Sequence, residues 1–266
     1  MFQLPKVEKL SPKSEPKNFF IWGSPMTGKS YFSSFFPNPL ILNTDGNSKQ
    51  GSAPSIQLRN IRNEAGGLKQ SVIKQLDDIV IALQVENPKR PENQQFKTIV
   101  VDVIDDVCIQ IEQAICLDAG VQALSDIPYG KGYAMFNTAL QQFVMDLKAL
   151  SLNVIYISRE LAITDENTGA TTYEPSLKTK YYNIVNGNCD VVIRTQKIGN
   201  GKAAEYFRTV QSLRTMYKPE DISDPRVLQL LKSCAGMFTK KELQRYELEQ
   251  KQELLAENKE KQKWVY

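Results

Sequence analysis

The chain contains no histidine, which excludes imidazole acid–base chemistry, Ser-His-Asp triads and histidine metal sites together. Any catalysis must draw on carboxylates, lysine, arginine and a bound metal. Cysteine is scarce as well. Cys108, Cys116, Cys189 and Cys234 are spaced as neither a zinc clip nor a disulfide framework, so buried, reduced side chains are expected. No sign of charge dominates, because 33 basic and 30 acidic residues leave a net +3, too little to announce a polyanionic partner. Long apolar runs are missing too, and none approaches the ~20 residues of a membrane span. The first residues, with Pro5, Lys6, Glu8 and Lys9, lack the apolar stretch of a secretory signal, so a cytoplasmic location and no membrane partner are expected.

What is present is ordinary globular material, 41% hydrophobic and 24% charged over 266 residues, enough for one main α/β domain with an appendage. Residues 1–17 carry Lys6, Lys9, Lys13 and Lys17 among Pro5, Pro12 and Pro16 and read as a basic arm, either solvated or phosphate-contacting. Asn18-Phe19-Phe20-Ile21-Trp22 is a short apolar strand, followed by a glycine loop and a helix over 29–35 that Pro37 and Pro39 stop. Further strands are expected at 40–43, 96–101, 154–157 and 190–195, with helices at 68–85, 104–117 and 133–150. Turn residues at 164–169 and 199–201 mark hairpins. Apolar strands alternating with helices predict a mainly parallel sheet covered on both faces, with functional loops at the carboxyl ends of the strands. From 239 to 263 the chain is almost wholly charged. Its sparse leucines hold no heptad, so an exposed helix or partner-binding tail is expected. The expected division is a basic arm 1–17, a core 18–212 and a C-terminal helical tail 213–266.

The chemistry concentrates in Gly23-Ser24-Pro25-Met26-Thr27-Gly28-Lys29-Ser30, a glycine-rich loop between a strand and a helix. Glycine lets successive backbone N–H groups turn inward on an anion. Lys29 then suits the β- and γ-phosphates of a nucleotide, and the Ser30 hydroxyl suits Mg²⁺. Thr98-Ile99-Val100-Val101-Asp102 adds an apolar strand ending in an acid, the pattern of a second magnesium ligand. Asp105 and Asp106 lie one turn on and suit the start of a helix. Asp45, ending Ile41-Leu42-Asn43-Thr44-Asp45, is the carboxylate available to orient water, and Asp45-Gly46 is equally an ordinary turn.

Together these motifs resemble the RecA-type core over about residues 18–197, and in particular the phage nucleotide-binding ATPases of the Sak type, associated with single-strand annealing and recombination. The resemblance implies an α/β, RecA-like P-loop fold, ATP bound at residues 23–30, Asp102 as the Walker B carboxylate for Mg²⁺, and Asp45 as the water-activating acid. A phage-encoded chain would work in the cytoplasm of a bacterial host. In the RecA pattern an Asn-Gln pair that senses the γ-phosphate follows the next strand, where this chain has Ser158-Arg159. That arginine could sense phosphate or make a structural ion pair. The resemblance also makes two loops candidates for single-stranded DNA contact, one with Tyr129, Lys131 and Tyr133, the other with Lys178, Lys180, Tyr181 and Tyr182. Lysines interleaved with aromatics suit a single strand, and tyrosines packed at loop bases are the alternative. It further implies a homo-oligomer or filament, with Arg194, Lys197, Arg208 or Arg214 as an inter-subunit finger.

The function expected is an ATPase, DNA-stimulated, that binds single-stranded DNA and promotes annealing or strand exchange. Two alternatives stand beside it, an ATP-controlled replication or helicase-loading factor acting through its C-terminal tail, and a P-loop small-molecule kinase. A GTPase is disfavoured by the lack of an Asn-Lys-x-Asp motif.

Overall fold

The computed structural model describes residues 15–46 and 53–263, so most of the expected basic arm lies outside the described residues. The chain runs β1 (Asn18–Gly23), α1 (Lys29–Ser34), β2 (Pro39–Asn43), β3 (Ser55–Gln57), β4 (Ile61–Arg62), β5 (Leu68–Gln70), α2 (Val72–Val85), β6 (Thr98–Asp102) and α3 (Ile104–Ala119). It continues with α4 (Lys131–Ala149), β7 (Asn153–Thr164), β8 (Thr171–Pro175), α5 (Thr179–Asn186), β9 (Val191–Ile198), β10 (Glu205–Leu213), α6 (Pro225–Lys232) and α7 (Lys240–Lys263).

Seven strands form one sheet in the order β10-β9-β1-β7-β6-β2-β3, and β8 pairs with the outer part of β7. Every neighbouring pair from β9 to β3 is parallel; β10 and β8 are antiparallel to their partners. This is the expected α/β core, a mainly parallel sheet covered on both faces. Side-chain alternation explains why its strands are apolar throughout. Phe19, Ile21, Ile155, Ile157 and Ile193 face one core with Phe32 of α1 and Leu231 of α6. Phe20, Val101, Val154, Tyr156 and Val192 face another with α2, α3, α4 and α5. All four cysteines are buried and free.

Several elements differ from their sequence signals. Residues 68–70 form a strand and not a first helical turn, because Gly66 (φ +83°) turns the chain back so that β5 pairs with β4. Helix α2 starts only after Ser71, whose side chain accepts the Lys74 N–H at 3.0 Å. Strand β7 does not stop at 157, since the β8 arm of the hairpin carries its pairing on to Thr164. The boundary at 212 does not separate core from tail, for Tyr217, Val227, Leu231 and Met237 are buried. The first turns of α7 also touch the core through Tyr246, and the exposed part of the helix follows it. Finally, the helical stretch 104–126 is long and apolar enough by composition to cross a membrane, contrary to the sequence expectation. Its Ile104, Val107, Ile111 and Ile115 are instead spent in the core.

Candidate nucleotide site

The parallel order places β7 between β1, which feeds the glycine loop, and β6, which ends in Asp102. The ends of β1 and β6 therefore flank the middle of β7: Gly23 is opposite Arg159, and Asp102 is opposite Ile157. Gly23 (φ +155°) is required by closeness as well as conformation, because a Cβ there would run into the Thr195 carbonyl oxygen. Gly28 (φ +82°) caps α1 in the left-handed region. Met26 (φ +61°) crests the loop almost fully exposed. Thr27 braces the loop from within, its hydroxyl 2.8 Å from the Ser24 carbonyl and 2.7 Å from the Thr195 hydroxyl.

Lys29 is buried and donates from Nζ to the carbonyls of Gly23, at 2.7 Å, and Ser24, at 2.8 Å. Burial pushes its pKa down, while the nearby carboxylates of Asp102, Glu160 and Asp105 work the other way. Asp102 is the converse case. Burial pushes its carboxyl pKa up, a hydrogen bond from the Ser30 side chain opposes this, and the charge of Asp45 adds to the rise. Ser30 and Asp102, 72 residues apart, are thus in contact as the magnesium pattern requires.

Asp45 is exposed and stands just beyond β2. Its neighbour Thr44 is anchored on both sides, its N–H to the Asp102 carbonyl at 3.2 Å and its hydroxyl to Asp106 at 3.1 Å. From there the charge of Asp45 acts on Asp102 and Arg159. Asp105 and Asp106 do more than begin a helix. Asp105 accepts from the Ser158 hydroxyl at 3.0 Å, the Arg159 N–H at 3.1 Å and the Ser176 hydroxyl at 2.5 Å. Asp106 takes both guanidinium nitrogens of Arg159. Of the two roles left open for Arg159, the structure has the ion pair.

A family model described as an AAA domain matches residues 15–217. The chain belongs to this AAA domain family. It is an α/β P-loop ATPase-type domain, with the glycine loop and the β6 carboxylate both inside the matched region. Among solved structures, a KaiC-like protein from the hyperthermophilic archaeon Pyrococcus horikoshii OT3 is similar, with 10% identity and a TM-score of 0.41 over 74% of this chain and 79% of that one. No curated protein matches the chain.

In this AAA domain the two candidate DNA loops precede helices that pack together. Helices α4 and α5 meet through Phe136 and Tyr181, whose rings lie 4.4 Å apart. Tyr129 is 94% exposed, with the Lys131 ammonium 5.9 Å from its ring, and Tyr133, Lys178 and Lys180 are also exposed. Tyr181 and Tyr182 do not join them. The first is buried against Phe136, and the second packs edge-on to Phe20 at 5.3 Å.

Three of the finger candidates have partners within the chain. Arg194 pairs with Glu160, Arg208 lies over the Phe32 ring, and Arg214 binds Asp190 and the Gly187 and Cys189 carbonyls just after α5. Sequence inspection missed Glu160 and Thr195, which carry no motif of their own.

Proposed function

We propose that this AAA domain binds and hydrolyses ATP and couples turnover to single-stranded DNA, promoting annealing or strand exchange as a homo-oligomer, in the manner of the Sak-type proteins it resembles. The observation that carries the coupling is the Asp105 carboxylate, which accepts from Ser158 and Arg159 beside the phosphate loop and from Ser176, two residues before Lys178.

The residues of the loop suit a triphosphate. Lys29 presents a buried cation, and Gly23, Ser24 and Met26 to Gly28 carry the backbone N–H groups that such a loop turns on an anion. Ser30 and Asp102 suit Mg²⁺, which favours hydroxyl, carboxylate and phosphate oxygens, and when bound it would neutralise charge on the phosphates. Among the described residues no cluster of three or more acids, cysteines or histidines competes as a metal site. Asp45 is the carboxylate that orients water for attack. Catalysis of this kind is positional and electrostatic, and Lys29 stabilises the charge that develops on the transferring group. Ser158 and Arg159 read the outcome through Asp105 and Asp106. Tyr129, Lys131, Tyr133, Lys178 and Lys180 contact DNA through stacking and phosphate attraction.

The deciding measurement is ATP hydrolysis by the purified protein and by Lys29→Ala, with and without single-stranded DNA, at low and physiological salt. DNA-stimulated turnover that the substitution abolishes is expected. Turnover indifferent to DNA would favour a kinase, or a replication or helicase-loading factor acting through the exposed, charged α7.

A further inference from the structure

A line of contacts leads from the phosphate loop to the β7–β8 hairpin, through residues that phosphate chemistry does not require. The Ser24 hydroxyl donates to Glu160 Oε1 at 2.6 Å. The other oxygen, Oε2, receives Arg194 Nε and Nη2, each at 2.8 Å. The guanidinium also lies near two aromatic rings, 5.0 Å from the centre of Trp22 and 4.7 Å from that of Tyr173. Only 7% of the Glu160 side chain and 19% of the Arg194 side chain remain exposed.

Strand register explains how these residues meet. Trp22, the last residue before the loop, is opposite Ser158 on one side and Arg194 on the other. Glu160 lies two residues beyond Ser158, where β7 parts from β1 and pairs with Pro175. Tyr173 stands farther out in the same hairpin, opposite Ala162.

We propose that Glu160 and Arg194 are positioning residues that clamp Ser24 of the phosphate loop to the β7–β8 hairpin, with Tyr173 as the hairpin's contact, so that order in the loop and order in the hairpin rise and fall together. Both carboxylate oxygens of Glu160 are occupied, so it is an anchor and not the base that activates water. Arg194 has its charge matched by Glu160 and its guanidinium in contact with two aromatic rings, which suits a fixed strut better than a finger extended to a neighbouring subunit. The consequence for ATP rests on nucleotide binding at residues 23–30; the mechanical link does not.

The test is hydrogen exchange on the full chain. In the absence of nucleotide, Tyr173→Ala removes a half-exposed ring outside the core and leaves the fold intact. It is expected to speed exchange of the loop amides at 23, 24 and 26–28 roughly two- to fivefold, the worth of one cation–π contact. Tyr173→Phe should restore the wild-type rate. Glu160→Gln, which keeps the shape but not the charge, is expected to raise KM for ATP about tenfold while changing kcat less. A non-hydrolysable ATP analogue should protect the amides of 161–175 in the wild type and not in Glu160→Gln. Loop exchange unchanged in Tyr173→Ala, or equal hairpin protection in Glu160→Gln and wild type, overturns the clamp. Failure of nucleotide binding has a different signature: wild type and Lys29→Ala bind ATP equally poorly, while loop exchange still responds to Tyr173→Ala.

Discussion

Arg159 grips Asp106 with two nitrogens, Nη1 on Oδ1 at 2.6 Å and Nη2 on Oδ2 at 2.7 Å, and so ties the middle of β7 to the first turn of α3. The same aspartate accepts the Thr44 hydroxyl. Thr44 just after β2 and Ser158 and Arg159 within β7 are thereby held by two adjacent acids, Asp105 and Asp106, that follow β6.

Asp106→Asn should lower stability modestly, by about 0.5–1 kcal/mol, because the pair is partly exposed and screened by solvent. The hydrogen bonds from Arg159 hold the Asp106 carboxyl below its ordinary range. A depressed carboxylate stabilises the folded state above its unfolded pKa of about 4, and this is lost as pH falls through the lower folded value. Urea unfolding should therefore separate variant from wild type at pH 7 and bring them together in strong acid.

Asp102→Asn is expected to do the opposite to stability while removing activity. Burial raises the Asp102 pKa, so the ionised carboxylate burdens the nucleotide-free protein at neutral pH. That burden is absent below the ordinary carboxylate range and grows as pH rises through the folded value. The variant should melt higher than wild type at pH 7, lose this advantage below about pH 4, and turn over ATP about 100-fold more slowly or less. A lower melting temperature at pH 7 would count against this account of the site.

Tyr129→Ala and Tyr181→Ala should separate surface from core. Tyr129 is 94% exposed, and its loss should weaken single-stranded DNA binding about tenfold with little change in melting temperature. Tyr181 packs on Phe136, and its truncation should cost about 3–4 kcal/mol of stability. DNA titrations together with thermal melts check both, and a Tyr129→Ala protein with unaltered DNA affinity would remove that loop from the interface.

Truncation of α7 should be tolerated up to a definite point. Arg245 pairs with Glu220 at 2.6 Å, and Tyr246 receives the Lys232 ammonium 5.0 Å from its ring centre and packs against the core. Beyond them Leu248 and Leu255 are exposed. Removing 247–266 should leave the melting temperature nearly unchanged, whereas removing 240–266 should cost roughly 1–2 kcal/mol.

The glycine loop was legible because its geometry is local: eight consecutive residues encode the backbone path, the lysine and the hydroxyl. Asp102 was legible for a related reason, as an acid at the end of a buried strand beside such a loop. The apolar strands announced a covered parallel sheet because both of their faces had to be buried. Other features had no local signature. Gln70 ends a strand only because β4 lies beside it, and Tyr217 to Met237 are core only because α6 covers the sheet.

Which loop residue is braced, and by what, was decided by the tertiary structure alone. Ser24 meets Glu160 across 136 positions of sequence, and Thr27 meets Thr195 across 168. Strand order and register choose such partners, and these depend on the packing of the whole sheet. A short segment determines its own backbone conformation through sterics and local hydrogen bonds, so the sequence by itself determined the phosphate loop. The partners of that loop were settled only when β7 and β9 came to flank β1.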